Sequence, residues 1–65
     1  MTGYVITKRV LDRWTYYLEY LELNGMPIWN GLVCNGKTMN LTNCLLVLDK
    51  LRKCYPKQDF DYMEY

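Results

Sequence analysis

Residues that could do chemistry are few in this chain of 65 residues. It contains no histidine, and its three cysteines, Cys34, Cys44 and Cys54, stand far apart without a CxxC pair. A structural zinc site needs four nitrogen or sulfur ligands at compatible spacing, so we expect no metal and no cofactor. Cys34 would need a nearby base to act as a nucleophile, and we expect Cys44 and Cys54 to be small buried apolar side chains. We therefore predict that the protein is not an enzyme.

A literal match to the phosphate-binding loop pattern GxxxxGK[ST] begins at Gly31 and ends at Thr38. That loop works between a buried strand of a parallel sheet and a helix that starts at the lysine, together with a metal-binding carboxylate. A chain of this length has no room for such a fold. The Asn-Gly pairs in this stretch, including Asn35-Gly36, are instead typical of tight turns.

The element expected to position the binding residues is a long amphipathic helix over residues 7–23. Thr7 is a suitable N-cap, and Asn24-Gly25 can close the last turn before Pro27 prevents continuation. On a helical wheel at about 100° per residue, six apolar or aromatic side chains share one arc. They are Val10, Leu11, Trp14, Tyr17, Leu18 and Leu21.

The alternative for this segment is a small β-meander followed by one helix. Tyr, Trp, Val and Ile favour strands, and Asn-Gly is a strong hairpin signal. Strict alternation of apolar and polar residues fails through Tyr16-Tyr17-Leu18, however, so we prefer the helix.

The remaining chain predicts three further elements. A β-hairpin pairs residues 32–34 with 37–39 across Asn35-Gly36. A second helix runs from residue 43 to 54 or 55, with Thr42 as its N-cap. Residues 57–65 form an aromatic and acidic C-terminal tail that lies back across the domain or docks on a partner. The sequence thus predicts one small α+β domain over residues 1–65.

One outer stripe of the first predicted helix carries Arg9, Arg13, Tyr16 and Tyr20. Tyrosine, tryptophan and arginine dominate the energetics of protein interfaces, so we predict that this stripe, together with Trp29, binds a partner. The alternative is that Tyr16 and Tyr20 cover other parts of the same monomer. The predicted function is a small non-catalytic protein-binding module, a stoichiometric inhibitor or adaptor of the kind that phages and mobile elements encode. A homodimer built on the stripe would compensate for the small core.

The second functional hypothesis is nucleic-acid binding through basic patches on the two helices. Lys50, Arg52 and Lys53 on the second helix are expected to contact phosphates or the acidic tail. The net charge of +1 argues against this hypothesis, because most nucleic-acid-binding domains are strongly basic.

Composition also bears on the compartment. No apolar run approaches the roughly 20 residues that a membrane-spanning helix requires. An odd number of cysteines without a secretory signal is typical of a reducing compartment, so we predict a cytoplasmic protein. Because the chain begins with Met1 and shows no targeting segment, we also expect it to be a complete small protein.

Overall fold

The computed structural model describes residues 3–65, so Met1 and Thr2 of the predicted domain lie outside the described residues. The strands are β1 (Tyr4–Val10), β2 (Trp14–Leu21), β3 (Pro27–Asn30) and β4 (Asp59–Glu64). A 3-10 turn (Val33–Asn35) and the helix α1 (Leu41–Cys54) lie between β3 and β4. The strands of this described part form one antiparallel sheet with the order β3-β2-β1-β4.

The predicted helix over residues 7–23 is wrong, because this stretch forms the hairpin of β1 and β2. The chain reverses at Leu11 and Asp12, whose φ angles of 56° and 53° lie in the left-handed region. The Arg13 N–H closes the turn by donating to the Val10 carbonyl at 3.1 Å. Two central residues at positive φ are typical of the hairpin turn whose twist matches the flanking strands. The alternative of a β-meander followed by one helix is closer to the structure, although it omits β4.

The strand register decides which side chains face the helix. Lys8 of β1 pairs with Tyr16 of β2 and with Phe60 of β4. Side chains alternate between the two faces of the sheet along each strand, so these three side chains lie on the same face. We call the side of the sheet that carries these three residues the helix side. The core lies between this side and α1, and its buried members are Ile6, Leu18, Cys44, Leu48, Leu51 and Phe60. Burying one such large apolar side chain contributes about 1.5–3 kcal/mol, so this small set stabilises the fold.

The opposite side of the sheet is covered at one end by the 3-10 turn and Gly36. A Cβ placed on Gly36 would lie 2.9 Å from Val5 Cγ1 and 3.2 Å from Tyr17 Cβ, so the segment packs directly on the sheet. Val5 is fully buried there. The β-hairpin predicted across Asn35-Gly36 is wrong, because Asn35 ends a 3-10 turn and Gly36 follows it in an extended conformation.

Residues 37–39 occupy an opening between β1 and β2. The Lys37 N–H donates to the Leu18 carbonyl at 2.8 Å, and Met39 and Tyr4 exchange two hydrogen bonds of 2.9 Å. The pairing of β2 with β3 shifts register between Leu18 and Tyr20, which marks a β-bulge. Because a bulge bends its strand, β2 leaves β1 at this point and residues 37–39 fill the gap.

The one α-helix within residues 3–65 matches the second predicted helix, with a different start. It begins at Leu41 rather than at residue 43. Its N-cap is Asn40, whose side-chain oxygen accepts a hydrogen bond from the Asn43 N–H at 2.8 Å. Thr42, the predicted N-cap, lies within the helix.

The predicted C-terminal tail forms the edge strand β4, antiparallel to β1. Gly3 and Tyr65 exchange hydrogen bonds of 3.1 and 2.8 Å at the end of this pairing. Hydrogen-bonded and non-bonded pairs alternate along antiparallel strands. The backbone N–H and C=O groups of Phe60 and Tyr62 therefore point to the open edge of the sheet.

Local side chains satisfy part of that open edge. Arg52 donates to the Phe60 carbonyl at 3.0 Å, and the Asp61 carboxylate accepts from the Tyr62 N–H at 2.8 Å. Unpaired backbone groups on an edge strand invite pairing with another chain. These two contacts reduce the number of groups available for such pairing.

Candidate binding surfaces

Candidate metal-binding side chains do not converge in the described part of the chain. Within residues 3–65, no group of three or more Cys, Asp or Glu residues has a metal-binding arrangement. The burial predicted for Cys44 is confirmed, and burial raises the pKa of its thiol. The burial predicted for Cys54 is wrong, because Cys54 lines an open groove at the end of α1.

The stretch that matches the phosphate-binding loop pattern lacks the geometry of that loop. The preceding strand, β3, belongs to an antiparallel sheet, and α1 begins at Leu41 rather than at Lys37. The Lys37 N–H is bonded to the Leu18 carbonyl, so it is not free to cradle a phosphate. This sequence match therefore marks a packed connecting segment.

The residues of the predicted Arg/Tyr stripe do not share one face. Arg9 lies on the side of the sheet opposite α1, and Arg13 ends the turn between β1 and β2. Tyr16 and Tyr20 lie toward the two ends of β2. These residues would form one stripe only on a helix. In two strands with a bulge they are separated. The predicted dimer would therefore need another surface.

Trp29, the fifth predicted partner-binding residue, is half-buried at the edge of the core. Its ring stacks on Phe60 with centroids 5.8 Å apart and an angle of 16° between the planes. Tyr55, which follows α1, meets Phe60 edge-on at 6.3 Å. These rings close the core above the sheet, so Trp29 has a structural contact whether or not it binds a partner.

The three basic residues predicted to contact phosphate or the tail have different surroundings. Arg52 donates a hydrogen bond to the Phe60 carbonyl of β4, the strand that the predicted tail forms. Lys53 forms an exposed ion pair with Asp49 at 3.0 Å. Lys50 borders the groove that separates α1 from the turn between β2 and β3.

An apolar surface lies along the groove that Lys50 borders, and no sequence pattern predicted it. Two adjoining grooves of about 380 Å³ each lie between α1 and the end of β2, and both are lined by Leu21 and Val47. We define the hairpin–helix surface as Tyr20, Leu21, Met26, Leu46 and Val47. Exposed fractions of 48% for Tyr20, 52% for Met26 and 65% for Leu46 show how little of it is covered.

A second surface lies at the other end of β2, on the part of the helix side that α1 leaves open. Trp14 is 57% exposed, although helical spacing had placed it in the core. Tyr16 and Lys8 pair across the strands beside it. We call these three residues the aromatic platform. The signal that identifies it is the period of two along a strand, which puts Trp14 and Tyr16 on one side.

Lys8 is the charged member of the aromatic platform. Its ammonium nitrogen lies 4.8 Å from the ring centroid of Trp29 and 5.9 Å from that of Tyr16. Cations at such distances interact favourably with the ring faces. Partial burial nevertheless lowers the pKa of Lys8, because it disfavours the charged form.

The helical segments within residues 3–65 are not long and apolar enough to cross a membrane, and the cytoplasmic location stays a prediction. No family model, curated protein or solved structure matches this chain. The hairpin–helix surface and the aromatic platform are therefore the features on which a functional proposal rests.

Proposed function

We propose that this chain is a non-catalytic protein-binding module that docks its partner on the hairpin–helix surface. The observation that carries the proposal is the exposure of large apolar side chains around one pair of adjoining grooves. Contiguous exposed apolar surface is costly in water and commonly marks an interaction site. Stoichiometric inhibition or an adaptor role requires only such a surface, and a phage or mobile element is a suitable source for a protein of this size.

The chemistry of the grooves describes the partner. Apart from one lysine in each groove, and Asn24, Gly25 and Asn43 at the turn and near the helix start, the lining is apolar or aromatic. One charged residue borders each groove, Lys50 in the first and Lys37 in the second. The partner that complements them is a protein segment with protruding apolar side chains flanked by carboxylates.

Affinity capture from a lysate of the native host tests this proposal with two matched variants. Leu46→Glu places a charge at the centre of the surface, and Leu32→Glu places one at an equally exposed leucine on the 3-10 segment. We expect the wild type and Leu32→Glu to recover one protein in stoichiometric amount, and Leu46→Glu to lose it. The capture is repeated after nuclease treatment and at two salt concentrations, and read by mass spectrometry.

Either of two results would overturn the proposal. Equal recovery by both variants would exclude the hairpin–helix surface as the docking site. Recovery that depends on intact nucleic acid would exclude a direct protein partner. Circular dichroism of each variant verifies that it is folded, which both exposed positions permit.

A further inference from the structure

The aromatic platform has a geometry that the proposed protein docking does not use. Trp14 and Tyr16 are two residues apart on one side of β2, which separates their side chains by about 7 Å. Both rings are accessible, with exposed fractions of 57% and 36%. Flat rings presented in succession on a sheet are suited to stacking against other planar rings.

The cation beside these rings has no carboxylate partner. The ion pair within residues 3–65 is that of Lys53 with Asp49, so Lys8 is not paired. Its ammonium lies near the ring faces of Trp29 and Tyr16. An anion bound here would offset the partial loss of water from this ammonium.

Charge is unevenly distributed between the two sides of the sheet, although the net charge is only +1. On the opposite side, Asp59 and Asp61 flank Arg9 and line a small polar cavity with Thr7 and Thr15. The helix side, α1 and the segment before β4 carry more cations than carboxylates. The cations are Lys8, Lys50, Arg52, Lys53 and Lys57, and the carboxylates are Asp49, which pairs with Lys53, and Glu64.

Lys57 extends the positive charge next to the aromatic platform. It lines a groove of about 520 Å³ together with Lys8, Val10 and Leu11. Two carboxylates also border this groove, Asp12 in the hairpin turn and Asp59 on the opposite side of the sheet. Lys8 and Lys57 therefore border the same groove, and Lys8 lies beside the exposed ring of Tyr16.

We propose that the aromatic platform binds single-stranded nucleic acid. Successive bases stack on Trp14 and Tyr16, and Lys8 and Lys57 contact the phosphates. A ligand that combines planar rings with regularly spaced anions fits these features better than a protein segment does. This site is distinct from the hairpin–helix surface, since Trp14 and Tyr20 are separated by about 20 Å along β2.

Fluorescence anisotropy with labelled oligo-dT and oligo-U tests the proposal directly. The matched variants are Trp14→Ala and Tyr20→Ala, which remove exposed rings from the two ends of the same strand. We expect saturable binding by the wild type at low salt, weakened about 5- to 150-fold by Trp14→Ala and unchanged by Tyr20→Ala. A duplex of matched length and an acidic peptide of matched charge should bind far more weakly.

Lys8→Met provides a second measurement that does not depend on Trp14→Ala remaining folded. Removing one phosphate contact should reduce the slope of log affinity against log salt by about 0.7 for a single strand. Absence of saturable binding by the wild type, an unchanged slope in Lys8→Met, or equal losses in both ring variants would overturn the proposal. Preference for the acidic peptide would also overturn it. None of these results affects the Leu46→Glu comparison, so the two proposals fail independently.

Discussion

Gly36 shows how a single residue determines the packing of a connecting segment. Its φ of −70° is open to any residue, so the backbone does not require glycine there. The constraint is steric, because Val5 Cγ1, Tyr17 Cβ and the Val33 carbonyl oxygen all lie within 3.2 Å of the position that a Cβ would take. Gly31, in contrast, has no atom within 4 Å of that position.

We predict that Gly36→Ala destabilises the fold by about 1–3 kcal/mol, the usual cost of overpacking. Gly31→Ala is the matched control and should change the free energy of unfolding by no more than about 1 kcal/mol, with stabilisation expected. Urea denaturation of the two variants and the wild type measures both effects. Equal free energies of unfolding for the two variants would show that residues 36–39 do not pack against the sheet as described.

At the scale of elements, the turn at Leu11 and Asp12 explains why the first two strands were missed. A hairpin turn with two residues at positive φ normally has Asn-Gly or Asp-Gly at its centre, and Leu-Asp gives no such signal. Without a visible break, the apolar residues from Val10 to Leu21 fit a helical period. The hairpin is also stabilised by the long-range pairing of β1 with β4, which no local sequence pattern reveals.

The second predicted helix was predicted more accurately than the other elements. The sequence between Thr42 and Pro56 combines helical spacing with a stop signal, and α1 covers this segment up to Cys54 and buries Cys44 as expected. The error at its start arose because Asn40 and Thr42 are both good N-caps. Of the candidate binding residues, Tyr16 and Tyr20 are exposed, but their neighbours could be identified only from the strand register.

We predict that Leu11→Asn stabilises the protein by about 0.5–1 kcal/mol, because asparagine tolerates positive φ better than leucine. Little hydrophobic stabilisation is lost, since Leu11 is 83% exposed. The control is Leu23→Asn, which replaces a fully exposed leucine that is not at positive φ and should have an effect within about 0.5 kcal/mol. Thermal and urea unfolding provide the comparison. A destabilised Leu11→Asn would argue against the described turn.

At the scale of the whole molecule, the core is one small cluster under a single helix, and one thiol reports on it. Cys44 is fully buried in this cluster, whereas Cys34 and Cys54 are exposed. Reaction of a thiol requires access and a thiolate, and burial limits both for Cys44.

We therefore predict two fast phases and one slow phase when the native protein reacts with a disulfide reagent such as DTNB. The slow phase belongs to Cys44 and should accelerate with urea in proportion to the population of the open state. A double variant, Cys34→Ser with Cys54→Ser, should retain only the slow phase. Three equally fast thiols in the native protein would contradict the described core.

The hydrogen bonds between Gly3 and Tyr65 bring the ends of the described chain together at one corner of the sheet. Because these ends meet, the chain could be joined there and cut elsewhere without changing the order of the strands. A circular permutant that links these ends and opens the chain between Asp12 and Arg13 would preserve every strand neighbour. It would convert the pairing of β1 with β4, the most distant in sequence, into a local one. The cost of closing the longest loop would then fall on the pairing of β1 with β2.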